Sequence, residues 1–169
     1  MNKKTQHKFK GKMQLTYEEY FHRRFDRQVQ LIQEFERVLG RKKTFEIVGK
    51  ANEKFAVESL KKEMNEREPI RSFEDYKALV KHDFNSPFWS HTLAVTFPEE
   101  TDKKLVFNVT DCLWAKTFKE LNATDIGYIL CCRPDFAMAR AYHPNIRLRR
   151  TKTLMQGSSC CNHTYYWKE

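Results

Sequence analysis

Cys161 and His163 stand two residues apart in GSSCCNHTYYWKE, the stretch that runs from Gly157 to Glu169. On a β-strand, residues two apart point to the same face. Cys161, His163, Tyr165 and Trp167 would share one side, and Cys160, Asn162, Thr164 and Tyr166 the other. The adjacent cysteines are therefore divided between faces, and a disulfide between them would need a badly strained ring. Cys161 and His163 are separated by some 7 Å at the backbone, given a rise of about 3.3 Å per residue, which leaves side-chain contact open. Three chemistries fit the pair. Cys161 can be a small core hydrophobe beside a hydrogen-bonded histidine. The two can join Cys131 or Cys132 on zinc, although paired ligands two to four residues apart are missing. Or the histidine can stabilise a nucleophilic thiolate.

Other chemistry-bearing residues surround this pair in the sequence. Asp135 follows Pro134 at the start of a helix, where a carboxylate is stabilised by the helix dipole and can also orient a histidine. Asp111 carries the same two readings. His91 alternates with an apolar set, which fits a satisfied core histidine as well as a site residue. Arg147 and Arg149 face together and Arg150 faces opposite; such runs are usually solvated, yet one arginine can clamp a substrate carboxylate bidentately.

The elements that must position these groups follow from periodicity. Phe21, Phe25, Val29, Ile32, Phe35 and Leu39 line one face of a helix from Tyr17 to Leu39, with Thr16 as N-cap and Gly40 as the stop. A second helix runs from about Thr44 to Asn65 and folds back on the first as a hairpin. Ser72 caps a third, FEDYKALVKHDF. Alternation then predicts a strand from Trp89 to Phe97 and an antiparallel partner around Leu105, Phe107 and Val109, joined by a polar loop. Thr110 or Asp111 caps a helix to Leu121, and Thr124 caps DIGYILCC. Pro134 breaks that helix and begins PDFAMARAY. Ile146 to Met155 reads as a strand, QGSS as a turn and Cys160 to Trp167 as the closing strand. The fold class is α+β: an N-terminal helical hairpin and further helices packed on one side of an antiparallel sheet of about four strands. Residues 1–13 read as a basic disordered tail and residues 14–169 as one domain.

At 169 residues the chain can bury roughly 70% of its unfolded surface, so it needs no disulfide for a core. Its five cysteines are odd in number and read as thiols in a reducing compartment. Without an export signal or a long apolar run, a cytoplasmic protein with no membrane partner is expected. The sequons at Asn108, Asn122 and Asn162 are then chance matches. The net charge of +9 favours anionic partners, but no nucleic-acid motif accompanies it and no nucleic-acid partner is expected. No phosphate-cradling glycine loop, H-E-x-x-H helix or G-x-S-x-G elbow occurs, which disfavours nucleotide-driven chemistry and the common serine and zinc hydrolases.

The stretch IGYILCCRPDFAMARAYHPNIRLRRTKTLMQGSSCCNHTYYW, together with VTDCLWAKTFKELNA before it, resembles the C-terminal signature of the L-2-amino-thiazoline-4-carboxylic acid hydrolase family. The resemblance covers roughly residues 88 to 167; the closing strand is also similar to ligand-binding domains related to vinyl reductases. What it implies is a small hydrolase acting on a cyclic amidine-like C–N bond, of the kind that opens a 2-aminothiazoline ring to a carbamoyl-cysteine. Asp135, Cys161 and His163 match the motif positions and are implied to be catalytic. Cys132 and Cys112 match flanking positions, and with His91 and Arg150 form the expected substrate-binding set. The expected partner is a small, carboxylate-bearing substrate, with no cofactor and no metal; self-association into a homo-oligomer is a further expectation, and a non-catalytic ligand-binding or sensor domain of the same fold is the alternative.

Overall fold

The computed structural model describes residues 13–168, so the basic tail expected over residues 1–13 lies, apart from Met13, outside the described residues. Helix α1 spans Tyr17–Leu39 and α2 spans Arg41–Met64, joined at Gly40 with φ of +78°. Thr16 closes a capping box: its hydroxyl accepts from the Glu19 N–H while the Glu19 carboxylate accepts from the Thr16 N–H. Phe21, Phe25, Val29 and Ile32 form the buried stripe of α1, whereas Phe35 and Leu39 at the end of the expected stripe are exposed. Ser72 closes a second capping box, with Asp75, at the start of α3 (Phe73–Phe84).

The strand expected from Trp89 begins four residues later. Pro87 opens a short helix, α4 (Pro87–Thr92), whose first position suits a residue with a fixed φ and no N–H. The Thr92 hydroxyl bonds back to the Phe88 carbonyl at 2.8 Å. The alternation over Trp89 to Thr92 was thus compatible with a helix as well as a strand. Strand β1 is Leu93–Glu100 and β2 is Lys104–Cys112; they pair antiparallel, with register shifts after Ala94 and after Thr96. Pairing of Cys112 with Leu93 keeps Thr110 and Asp111 in the strand, so neither caps α5 (Leu113–Glu120) as expected.

After α5 come α6 (Thr124–Gly127), a π-helical turn over Tyr128–Cys132 and α7 (Asp135–Tyr142). Thr124 is the first residue of α6 and its side chain does not cap it. Strand β3 is Ile146–Arg149, shorter than expected, because the Asn162 side chain takes over where the ladder stops: its Oδ1 accepts from the N–H groups of Thr151 and Lys152 at 3.0 and 2.6 Å. A 3₁₀ turn at Leu154–Gln156 and Gly157, with φ of +87°, lead into β4 (Cys161–Trp167).

The sheet is antiparallel in the order β1-β2-β4-β3. Its helix-facing side presents Leu105, Phe107 and Val109 directly opposite Tyr165, His163 and Cys161. On the other side Asn108, Asn162 and Thr164 are half-buried and Tyr166 is exposed. The α+β architecture with a four-strand antiparallel sheet is the expected one. Among the described residues, no helix is long and apolar enough to cross a membrane.

One close approach ties α6 to the rest. A Cβ added at Gly127 would lie 2.6 Å from both Met155 Sδ and Phe118 Cγ, and the Phe118 ring is fully buried. Gly127→Ala is therefore expected to cost about 1–3 kcal/mol of stability, as overpacking does, read as a lowered urea midpoint.

Candidate active site

The closing strand divides its cysteines as alternation requires. Cys161, His163 and Tyr165 are buried on the inner face, each 7% exposed. The Phe107 ring stacks on the imidazole of His163 at 4.6 Å between centroids and 18° between planes. Cys161 Sγ accepts from the Leu154 N–H at 3.2 Å. The Tyr165 hydroxyl hydrogen-bonds that of Tyr76 from α3, and burial pushes both phenols up.

Above this face the chain breaks a helix and exposes carbonyls that must be satisfied. Pro134 has no N–H to give to the preceding turn. Asn52 Nδ2, from α2, donates instead to the carbonyl of Leu130 at 2.7 Å and reaches that of Ile129 at 3.4 Å. The π-helical bond from the Arg133 N–H to the Tyr128 carbonyl, 2.8 Å, widens the turn. The Cys132 carbonyl accepts from Arg150 Nη2 at 2.8 Å.

Arg150 is the hub of the cluster. Its side chain is only 2% exposed, and Nη1 donates to Asp135 Oδ2 at 2.5 Å and lies 3.3 Å from His163 Nε2. The guanidinium carbon sits 5.0 Å from the centre of the Phe136 ring. Burial, the largest single influence, pulls the Arg150 pKa down, but the Asp135 carboxylate together with Cys132 and Tyr128 outweighs it and the net shift is upward. The three neighbouring arginines thus separate: Arg149 is exposed, Arg147 bonds the Pro144 and Ile146 carbonyls, and Arg150 is buried and paired.

The expected contact from Asp135 to His163 is not a hydrogen bond. Asp135 Oδ2 is 3.9 Å from His163 Nε2, and the guanidinium of Arg150 bonds that oxygen instead. Asp135 keeps 30% of its side chain in solvent and is the cluster's opening to the outside. Burial pushes the Cys161 thiol above its ordinary value, against the lowering effects of the Leu154 N–H and Arg150. Burial likewise raises Cys132, with the Asp135 carboxylate adding to it, and Cys131; it takes Cys112 up to about 11. These are environments that keep thiols neutral.

Asp135, Arg150, His163 and Cys132 are therefore brought together, with Cys161 and Cys112 beside them. His91 is not. It belongs to α4, stacks on Tyr17 at 5.4 Å and lines a separate cleft of about 320 Å³ with Asp111 and Lys116. A second cleft, of about 410 Å³, lies against α2 around Glu53, Val57 and Ala137. Among the described residues no three His, Cys, Asp or Glu side chains are grouped to hold a metal, so the geometry does not assemble Cys161, His163 and Cys131 or Cys132 as a zinc site. Asn52 and Tyr76 carry no signal in the sequence that marks them for this cluster, and Phe107 reads there only as a strand residue, with nothing to place it against His163.

A four-strand antiparallel sheet under a helical cover, with an arginine–carboxylate pair and a histidine buried between the layers, defines an α+β protein whose polar centre is built by its C-terminal half. The family model for L-2-amino-thiazoline-4-carboxylic acid hydrolase matches residues 17–165, and the chain belongs to that family. The match begins at the first residue of α1, so the helical hairpin is part of the family unit and not an appendage. No curated protein matches the chain.

Proposed function

We propose that this protein is a hydrolase that opens a small cyclic amidine of the 2-aminothiazoline-4-carboxylate type. The observation that carries the reading is the convergence of Asp135, Arg150 and His163, from three separated segments, on one buried point beside Cys161, in a member of this family. Buried polar groups of this kind are costly unless they do something for the fold or for a ligand.

In this reading water adds to the amidine carbon, one ring bond to that carbon breaks, and the departing ring atom takes up a proton to give a carbamoyl-cysteine. Asp135, the part of the cluster open to solvent, accepts from the substrate amino group, and His163 meets the ring. Cys161 is a wall of the site and not its nucleophile, because burial holds its thiol neutral. Arg150 holds the cluster together, its contacts to Asp135, Cys132 and His163 leaving it badly placed to clamp a substrate carboxylate. The positive field of the chain attracts that carboxylate instead. Free thiols at all five cysteines fit a reducing, cytosolic setting.

The test is turnover of 2-aminothiazoline-4-carboxylate by wild type, His163→Ala and Cys161→Ser. Wild type should form the carbamoyl product, His163→Ala should lose about 10²–10⁴-fold in kcat, and Cys161→Ser should stay close to wild type. Full turnover in His163→Ala would sink the assignment, and complete loss in Cys161→Ser would make the thiol the nucleophile. One observation favours a non-catalytic ligand-binding module: clefts lie beside His91 and against α2, away from Arg150 and His163. A rise in Tm with the same compound, unconverted, is the outcome that reading predicts.

A further inference from the structure

A guanidinium has only N–H donors and cannot accept a hydrogen bond. Arg150 Nη1 lies within hydrogen-bond distance of His163 Nε2, at 3.3 Å, so Nε2 must be the bare nitrogen and the proton of the neutral ring must sit on Nδ1. The opposite tautomer would have to donate from Nε2 to Asp135 Oδ2, which is 3.9 Å away and already bonded by Arg150. The stacked Phe107 ring covers one face of the imidazole and holds its plane. Nδ1 is buried, and among the described residues no group bonds it. A buried N–H with no protein acceptor is rare in native structures and asks for a ligand or a functional explanation.

We propose that Arg150 is a positioning residue that fixes His163 as its Nδ1–H tautomer, and that the site recognises its ligand through a hydrogen-bond acceptor delivered to that N–H. The ligand half rests on the hydrolase reading, in which the acceptor is the ring nitrogen of the cyclic amidine. His163 then polarises the carbon under attack as a neutral donor, with the Arg150 charge at its other nitrogen, and is not the base that takes a proton from water. The tautomer half stands on the geometry alone.

Long-range ¹H–¹⁵N correlation spectra of the ¹⁵N-histidine-labelled full chain read the two halves separately. The six histidines are resolved by comparison with His163→Gln. Without ligand, His163 should show a protonated-type shift at Nδ1 and a bare-type shift at Nε2. Asp135→Asn, which keeps the guanidinium, should preserve that pattern, and Arg150→Met should invert or average it. An Nε2–H pattern in wild type, or a switch caused by Asp135→Asn alone, overturns the positioning role whatever the turnover assay gives; these two measurements suffice if Arg150→Met does not fold. Addition of 2-aminothiazoline-4-carboxylate should move the Nδ1 signal. A correct tautomer with no response to the compound overturns the ligand half, and with it the substrate named above, while leaving the tautomer lock intact.

Discussion

Above about pH 9 the protein is expected to lose stability steeply, because its buried thiols stay neutral in the fold while the unfolded chain ionises them. Cys112, Cys131, Cys132 and Cys161 are all held above their ordinary values, with burial the largest cause at each. A raised folded-state pKa contributes stability that is complete below the unfolded value of about 8.5 and lost as pH rises towards the folded value. Over that interval the folded state binds more protons than the unfolded state, so the slope is negative. Each thiol contributes up to about 1.4 kcal/mol per pH unit. For Cys112 the loss ends near the pKa of about 11 that it has in the fold. All four groups are shifted in the same direction, so their losses add over this interval. Urea midpoints measured from neutral pH upward should fall through this interval, and Cys112→Ala should make the fall shallower. Midpoints that stay level as the unfolded thiols ionise would contradict the burial of the cluster.

Arg150→Met is expected to cost about 3 kcal/mol of stability at neutral pH. Removing one partner of a buried pair leaves the other charge without compensation. Asp135 keeps part of its side chain in water, which places the expected cost at the lower end of the range for such losses. The Cys132 carbonyl also loses its donor. Arg150→Lys keeps a charge but cannot reach Asp135, Cys132 and His163 with a planar fork, so it should recover only part of the loss. Chemical denaturation of Arg150→Met, Asp135→Asn and the double variant gives the coupling directly. A double variant no worse than Arg150→Met shows that the two act as one unit; additive losses would show that they do not.

What could be read from the sequence and what could not divides by range. Thr16 and Ser72 announce their helices because a capping box is complete within four residues. Cys161, His163 and Tyr165 fall on one face because strand alternation is a property of the backbone itself. Trp89 to Thr92 failed because four residues satisfy two periods at once, and the deciding residue, Pro87, precedes them. Arg150 reads in the sequence as one of a solvated run or as a member of the substrate-binding set, and nothing near it shows that it is buried and paired. Its burial depends on Asp135, placed by the break at Pro134, and on His163 across the sheet. Asn52 lies farther still, on another helix from the carbonyls that it satisfies. Asp135 reads in the sequence as a helix stabiliser or as a group that orients a histidine; in the fold its Oδ2 accepts from Arg150, with His163 Nε2 3.9 Å away. Long-range satisfaction of polar groups is written in the fold, not in any local pattern.

Chemistry at the buried cluster, as proposed, and chemistry in the cleft that holds His91 are separated directly by turnover of two single variants. With 2-aminothiazoline-4-carboxylate as substrate, His163→Gln should lose about 100-fold or more in kcat, while His91→Gln, on the exposed helix α4, should turn over near the wild-type rate. Activity kept by His163→Gln and lost by His91→Gln would contradict the account and move the active site to the cleft between α1 and β1.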